Sequence, residues 1–235
     1  MYKYLITIVL LFTSLLIFSQ GSKPVVLISG KVLNERNMRP VDVDVKVIYE
    51  ILPEGKEAGI ARINPIDGSY KIILPYGKKY GYMAFAEGYY SVTKSLDVTK
   101  LDKYTEIEEQ NLMLAPLKKD QVVRLNNIFF KKGTAELEAS SYPELNRFVE
   151  FLKTNKKIVI EIGSHTDNSL DDKESLELTK KRAQAVVDYL ISKKIKENRI
   201  QVKGYGLRFP LGFNNSEEGR ALNNRIEFKI ISLKP

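Results

Sequence analysis

The residues best suited to chemistry lie in one short stretch, IGSHTDN, at residues 162–168. The stretch contains the only histidine of a 235-residue chain that has no cysteine. A serine, a histidine and an aspartate this close together raise the possibilities of nucleophilic catalysis and of metal binding. If His165 takes part in neither catalysis nor metal binding, the residues next to it carry the function.

The sequence argues against both catalysis and metal binding. Successive residues of a strand point to opposite faces, so Ser164 and His165 cannot face each other as a nucleophile and its base must. A catalytic zinc site needs three protein ligands, which one histidine without cysteine does not supply. We therefore expect no catalytic residue, metal or cofactor, and we interpret His165 as a side chain that packs and hydrogen-bonds at a strand end.

The N-terminal segment has the composition of an export signal. Lys3 is followed by an almost unbroken apolar run from Tyr4 to Phe18. About fifteen apolar residues are fewer than the roughly twenty that a membrane-spanning helix needs. We predict a secretory signal peptide over residues 1–19, cleaved after Ser19 or Gln20, with an uncleaved membrane anchor as the alternative.

The formal net charge of +8 could suggest nucleic acid as a partner. The predicted export argues against nucleic acid. We expect a basic surface outside the cytoplasm to face anionic wall polymer, lipid headgroups or acidic partners, or to consist only of solvated lysines.

Residues 24–115 show the period-two hydropathy of strands separated by turn signals. The predicted strands are Val41 to Val47, Ile60 to Ile63, Ser69 to Leu74, Tyr80 to Ala86, Tyr90 to Leu96 and Glu106 to Leu114. This spacing predicts an all-β domain, an antiparallel sandwich of about seven strands. A membrane barrel is the alternative, but eight spanning strands would leave few residues for loops.

Three short motifs in this region, D-G-x-Y at residues 67–70, L-P-x-G at 74–77 and G-Y at 88–89, resemble those of carboxypeptidase-regulatory-like sandwich domains. The resemblance implies a structural β-sandwich. We expect its tyrosines to pack at the rim of the sandwich, with a sugar-stacking face as the alternative. They are Tyr76, Tyr80, Tyr82, Tyr89 and Tyr90.

Residues 116–120 interrupt the pattern with a proline and a small charge run, and we predict a linker there. Beyond it helices alternate with strands, which predicts an α/β sandwich of βαβαββ type over residues 121–235. Ser141 and Glu144 form a capping-box pattern that opens the first helix. The other predicted elements are strands at Val122 to Phe130, Ile158 to Ile162, Arg199 to Lys203 and Arg225 to Ile231, and a second helix from about Lys173 to Lys193.

Six motifs in the second region occur in the order and spacing of the OmpA-like C-terminal domain. They are N-I-F-F at 127–130, A-E-L at 135–137, I-G-S-H-T-D-N at 162–168, K-R-A at 181–183, G-Y-G at 204–206 and G-R-A-L-N-N-R-I-E at 219–227. The region from about residue 120 to 235 thus resembles that family. The resemblance implies non-covalent binding of peptidoglycan through the diaminopimelate residue of the stem peptide.

The resemblance also implies roles for particular residues. The family's chief ligands, the aspartate of H-T-D and an arginine fifteen positions later, match Asp167 and Arg182. Such a pair suits a zwitterion, because the carboxylate accepts from the ammonium and the guanidinium grips the carboxylate. We assign Thr166, Asn168 and Arg225 as further contacts, and His165, Asn223 and Arg220 as structural support of the site.

Three positions depart from the family pattern. Ser164 and Leu170 stand where glycines are usual, and Ser175 replaces an asparagine. The loss of that amide's hydrogen bond would cost roughly 1 kcal/mol of binding energy. We therefore expect binding that is real but weaker than is usual in the family.

These features predict a non-enzymatic periplasmic protein that tethers an outer-membrane or periplasmic assembly to the cell wall. The N-terminal sandwich would contact an outer-membrane or periplasmic protein. An anchoring subunit of a larger secretion or motility machine is the alternative, followed by a wall-processing enzyme.

Overall fold

The computed structural model describes residues 25–101 and 103–233. The predicted signal peptide lies outside the described residues. Within them the chain is mostly β, with three α-helices. The strands are β1 (Val25–Asn34), β2 (Val45–Leu52), β3 (Lys56–Arg62), β4 (Ser69–Pro75), β5 (Lys79–Ala86), β6 (Tyr89–Tyr90), β7 (Lys94–Asp97), β8 (Thr105–Ile107), β9 (Leu112–Pro116), β10 (Val122–Leu125), β11 (Ile158–His165), β12 (Ile200–Gly206) and β13 (Arg225–Leu233). The helices are α1 (Tyr142–Thr154), α2 (Asp172–Ser192) and α3 (Glu217–Asn223).

Strands β1 to β9 form two sheets whose inward side chains share one core. The first sheet has the order β4-β1-β9-β6, with β8 also paired to β1, and the second has the order β3-β2-β5-β7. Val26 and Leu74 of the first sheet pack with Val47 of the second, and all three are fully buried. Tyr80 and Tyr82 are each only 1% exposed and their hydroxyls donate to Pro75 O and Gln110 Oε1. These two tyrosines therefore pack in the interior and cannot form a sugar-stacking face.

The expected purely antiparallel arrangement of about seven strands is wrong. Strand β1 pairs in parallel with both β8 and β9. The predicted strand Glu106 to Leu114 breaks between β8 and β9, where Glu109 has a φ of 57° and Gln110 N donates to Ser29 O. Gly30 permits this close approach, because a Cβ there would lie 2.5 Å from the Gln110 carbonyl carbon. Period-two hydropathy reports which face is buried but carries no information on strand direction.

The alternating run from Val41 to Val47 becomes a strand only from Val45 onward. Val41 is buried while Val43 is 41% exposed, so the alternation persists without ladder pairing. The predicted strand Tyr90 to Leu96 is likewise divided between β6 and β7.

The second region contains a four-stranded sheet in the order β10-β13-β11-β12. Only the β11 and β12 pair is parallel. One face of the sheet packs against α1 and α2, where fully buried Ile160 and Phe228 meet Leu145 and Val186. The short helix α3, which hydropathy did not reveal, lies between β12 and β13.

The capping box predicted at the start of α1 does not form. Ser141 has helical dihedrals and its side chain caps nothing. Its buried hydroxyl instead donates to Phe129 O and accepts from Phe129 N. Glu144 pairs with Arg147 instead of reaching back to Ser141. A tertiary contact has thus replaced the local one.

The two regions share a hydrophobic cluster and a buried ionic group. Tyr90 packs edge-on against Phe151 at 5.6 Å. Arg147 of α1 bridges Glu144 and Glu50, whose side chains are 17% and 10% exposed. The predicted linker is bonded on both sides, since Leu117 N donates to Gly88 O and Asp120 N donates to Ile230 O.

Candidate functional site

A cleft of about 640 Å³ opens at the carboxyl end of β11. Its walls come from the segment after β10, the loop after β11, helix α2 and the turn between α3 and β13. The described residues contain no group of three or more histidine, cysteine or acidic side chains that could hold a metal ion. Nor does any helix among residues 25–101 and 103–233 have the length and apolar character to span a membrane.

Asp167 lies in the loop that leaves β11 and is 9% exposed. Its Oδ1 accepts from Ser169 N at 2.9 Å and its Oδ2 accepts from Asn224 Nδ2 at 2.7 Å. Burial raises the pKa of this carboxyl, but the hydrogen bonds from Ser169 and Asn224 and the charge of Arg220 more than offset that effect and lower the pKa below its ordinary value. Asp167 is therefore an anion at neutral pH.

Arg182 reaches the same cleft from α2. Its Nε donates to Thr134 O at 2.9 Å, and its guanidinium lies 5.0 Å from the centre of the Phe130 ring. Desolvation lowers the pKa of this guanidinium, and the charge of Asp167 opposes the change. The half-buried position at the border of core and solvent is the one that the apolar stripe of α2 predicts.

His165 is 3% exposed at the end of β11. Its ring stacks on Tyr205 at 4.6 Å with an interplanar angle of 8°, and its Nε2 contacts Glu227 Oε1 at 2.9 Å. In the sheet His165 pairs with Arg225 while Ser164 pairs with Ile226, so the two side chains lie on opposite faces. No hydrogen bond joins Ser164 to His165 in the described structure, and the geometry offers no catalytic triad.

Asn224 connects two of the predicted contacts. Thr166 Oγ1 donates to Asn224 Oδ1 at 2.9 Å, while the Asn224 amide donates to Asp167. Thr166 is buried and Asn168 is exposed at the tip of the same loop. Sequence reasoning gave Asn224 no role in the site.

Arg225 is 7% exposed on β13 and lines the cleft. Its Nε donates to Glu227 Oε2 at 3.1 Å and its Nη2 donates to Phe209 O at 3.2 Å. Arg220 donates to Asn214 O at 2.9 Å and does not line the cleft. The structure thus brings Asp167, Arg182 and Arg225 to one cavity.

Asn223 is fully buried and organises the loop between β12 and α3. It accepts from Leu211 N and Gly212 N, and it donates to Gly212 O and Asn214 Oδ1, at distances of 2.7 to 3.0 Å. These bonds fix the loop, while the supporting role of Asn223 in the site stays a prediction.

Replacing Asn223 by alanine should therefore lower the free energy of unfolding by about 2–3 kcal/mol, because the backbone donors of Leu211 and Gly212 and the acceptors Gly212 O and Asn214 Oδ1 would all lose their partner. Urea denaturation measures the loss. The exposed Asn215 provides a matched control, and Asn215→Ala should change stability by less than about 0.5 kcal/mol. Equal stability of the two variants would contradict the role of Asn223.

The three departures from the family pattern have distinct surroundings. Ser175 is fully buried and its hydroxyl contacts Leu170 O at 3.4 Å, so it holds the loop and is absent from the cleft wall. Leu170 is 38% exposed and lines the cleft. Ser164 Oγ is buried without a hydrogen-bond partner among the described residues.

Two further residues of the cleft escaped sequence reasoning. Phe130 supports the Arg182 guanidinium from a segment that was predicted only as strand. Arg124 lines the cleft from β10, where its side chain lies on the outer sheet face. Phe130 belongs to the N-I-F-F motif of residues 127–130, but the motif gave it no role in the site, whereas no pattern within the sequence marks Arg124.

Comparisons with known proteins find similarity in the region that contains most of this cleft. Residues 129–224, less than half of the chain, match the model of the OmpA family. The C-terminal region is OmpA-like. The match does not extend to residues 25–116, so the likeness of that region to carboxypeptidase-regulatory-like sandwiches stays a prediction.

Three relatives illustrate the similarity of this OmpA-like domain. Outer membrane porin F of Pseudomonas aeruginosa is 29% identical over 112 residues, which are 47% of this chain and 32% of the porin. Peptidoglycan-binding protein ArfA of Mycobacterium tuberculosis is 32% identical over 103 residues, which are 44% of this chain and 32% of ArfA. The periplasmic domain of Helicobacter pylori MotB is 22% identical, with a TM-score of 0.43 over 48% of this chain and 77% of that domain. The chain thus spans about a third of the length of the two curated relatives.

Proposed function

We propose that this chain is a non-enzymatic periplasmic protein of a Gram-negative envelope that binds peptidoglycan through the cleft of its OmpA-like domain. The observation that carries the proposal is the arrangement of Asp167 and Arg182. The two opposite charges line one cleft, yet no salt bridge joins them within the described residues. Two opposite charges that line one cleft without forming a salt bridge suit a ligand that carries both charges.

The zwitterionic end of diaminopimelate has the required chemistry. Its ammonium would donate to the Asp167 carboxylate. Its carboxylate would accept from the terminal nitrogens of Arg182, because Thr134 O occupies only Nε. Phe130 shields one face of the guanidinium from water and strengthens that contact. The relative ArfA is named as a peptidoglycan-binding protein, which supports peptidoglycan as the polymer that is bound.

The first region would present a second surface to an outer-membrane or periplasmic protein, so that the whole chain tethers an assembly to the wall. Its buried contacts with the OmpA-like domain support this proposal, because a tether transmits force best through a packed junction. The wall-bound assembly could belong to a secretion or motility machine.

Calorimetry with soluble peptides tests the assignment. We expect the chain to bind a stem tripeptide that contains meso-diaminopimelate and to bind the same tripeptide with lysine at least about tenfold more weakly. Lysine keeps the ammonium but lacks the second carboxylate that Arg182 would grip. Equal affinity for both tripeptides would refute the zwitterion site, and release of soluble fragments from sacculi would refute a non-enzymatic role.

The pH dependence of binding follows from the lowered pKa of Asp167. The carboxylate must be ionised to hold an ammonium, and it becomes protonated only when the pH falls through its lowered pKa. The affinity for the tripeptide should therefore change less than about threefold between roughly pH 7 and pH 5. A tenfold loss over that interval would contradict the role of the Asp167 carboxylate.

A further inference from the structure

Four buried polar atoms of the described residues have no hydrogen-bond partner. They are Arg124 Nε, Ser164 Oγ, His165 Nδ1 and Arg225 Nη1. All four residues line the cleft that contains Asp167 and Arg182. Such atoms are few in folded proteins and each requires a partner from outside the chain or a cost in stability. Their concentration in one cleft indicates a ligand.

The sheet register places three of these residues on one face. Arg124 lies directly opposite Glu227 in the β10 and β13 pair, and His165 lies opposite Arg225 in the β11 and β13 pair. Opposed residues of an antiparallel pair share a face, as do residues two apart on one strand. Arg124, His165 and Arg225 therefore project to the outer face of the sheet, while Ser164 projects toward the helices.

The Glu227 carboxylate on this face is already engaged by both of its oxygens. Glu227 uses Oε1 for His165 Nε2 and Oε2 for Arg225 Nε. Arg124 has no ion pair in the described structure, and its Nη2 reaches Ala221 O at 3.4 Å. Two guanidinium groups thus present unpartnered N–H donors beside a carboxylate that can accept no further ion pair without competition.

The histidine adds an acceptor to these donors. Because the ionised Glu227 carboxylate only accepts hydrogen bonds, the Nε2 atom that contacts it carries a proton, and in the corresponding neutral tautomer Nδ1 is an acceptor. A free carboxylate can accept hydrogen bonds from the two arginines. An amide N–H attached to the same α-carbon can donate to the imidazole. Both occur together at the free α-carboxylate of a peptide residue.

We infer that Arg124 and Arg225, with His165, form a second subsite that binds a free α-carboxylate of the stem peptide, next to the diaminopimelate site. The inference rests on the proposed function. Asn224 connects the two subsites, since it precedes Arg225 in the chain and donates to Asp167. One extended peptide can therefore occupy both. The carboxylate belongs either to the glutamate that precedes diaminopimelate or to the C-terminal residue.

Calorimetry with three forms of one tripeptide, alanyl-γ-D-glutamyl-meso-diaminopimelate, tests the subsite. The first form has all three α-carboxylates free, the second has the glutamate α-carboxylate amidated, and the third has the C-terminal carboxylate amidated, with the zwitterionic end of diaminopimelate unchanged in all three. We expect one of the two amidations to weaken binding to the wild type by about tenfold, because a charge-assisted pair of hydrogen bonds is lost. The amidation that has this effect identifies the carboxylate.

Substitutions at two basic residues separate the subsite from general attraction by charge. Arg124→Gln should bind the unmodified tripeptide about tenfold more weakly and lose no further affinity on amidation. Lys203→Met removes a positive charge from an exposed position on the same face outside the cleft. That variant should retain the wild-type difference between acid and amide.

Several results would overturn the subsite. If neither amidation changes the wild-type affinity by more than about twofold while the tripeptide still binds, the proposed function stands and the subsite is wrong. Retention of the full amidation effect in Arg124→Gln would also refute it. Inorganic phosphate could stabilise the wild type against unfolding without stabilising Arg124→Gln. If amidation of the tripeptide then had no effect on affinity, the cleft would hold a site for free anions only. If no form of the tripeptide binds, the proposed function and the subsite fail together.

Discussion

Asp167→Asn is expected to weaken binding of the diaminopimelate tripeptide by roughly 30- to 150-fold, equivalent to about 2–3 kcal/mol. The substitution preserves the shape of the side chain and its acceptor for Ser169 N, but it removes the charge that would hold the ligand ammonium. A partly buried charge left without its partner is costly, so the loss should exceed that of a surface ion pair. Isothermal titration calorimetry gives both affinities.

Arg182→Met should produce a loss of similar size while keeping apolar contact with Phe130. Both variants must retain the wild-type unfolding transition, so that lost binding is not lost folding. Lys203→Met, which lies outside the cleft, serves as the charge control. If the control weakened binding as much as the two site variants, net charge and not the cleft would determine affinity.

Arg147→Met is expected to lower the free energy of unfolding by about 3 kcal/mol near neutral pH, because it leaves two largely buried carboxylates without their cation. Burial raises the pKa of Glu50 even in the presence of Arg147, and without the arginine the rise should be larger. A raised pKa means that the folded state binds more protons than the unfolded state. The stability of the variant should therefore recover as the pH falls from about 7 toward 5.

Two controls separate this buried group from exposed ion pairs. Lys46→Met breaks a pair with Glu150 whose side chains are 38% and 32% exposed, and it should cost no more than about 0.5 kcal/mol. Adding Glu50→Gln to Arg147→Met should restore part of the lost stability. Urea denaturation at two pH values measures all three variants, and a loss below about 1 kcal/mol for Arg147→Met would contradict the account.

The resemblance to the OmpA-like C-terminal domain, and not local order, pointed to Asp167 and Arg182 as the chief site residues. Local periodicity predicted the strand that precedes the loop of Asp167 and the helix that carries Arg182. The periodicity of strands and helices in the second region was therefore informative. Asn224 was missed because its contacts are made 57 and 58 residues away in the chain.

The remaining differences have the same physical origin. Ser141 has the sequence context of a cap, but a tertiary contact with Phe129 uses its hydroxyl. Strand β1 pairs with three strands, antiparallel with β4 and parallel with β8 and β9. Hydropathy reports burial, whereas strand direction and the Glu50 to Arg147 contact depend on how distant segments meet.

The most direct test of the central claim is co-sedimentation of the chain with purified sacculi of two kinds. One preparation has diaminopimelate in its stem peptides and the other has lysine at that position. The account predicts that the wild type and Lys203→Met pellet with the diaminopimelate sacculi, while Asp167→Asn and Arg182→Met stay in the supernatant. It also predicts that the lysine sacculi retain little of any form. Equal pelleting of all four proteins with both preparations would contradict the claim that this cleft binds peptidoglycan.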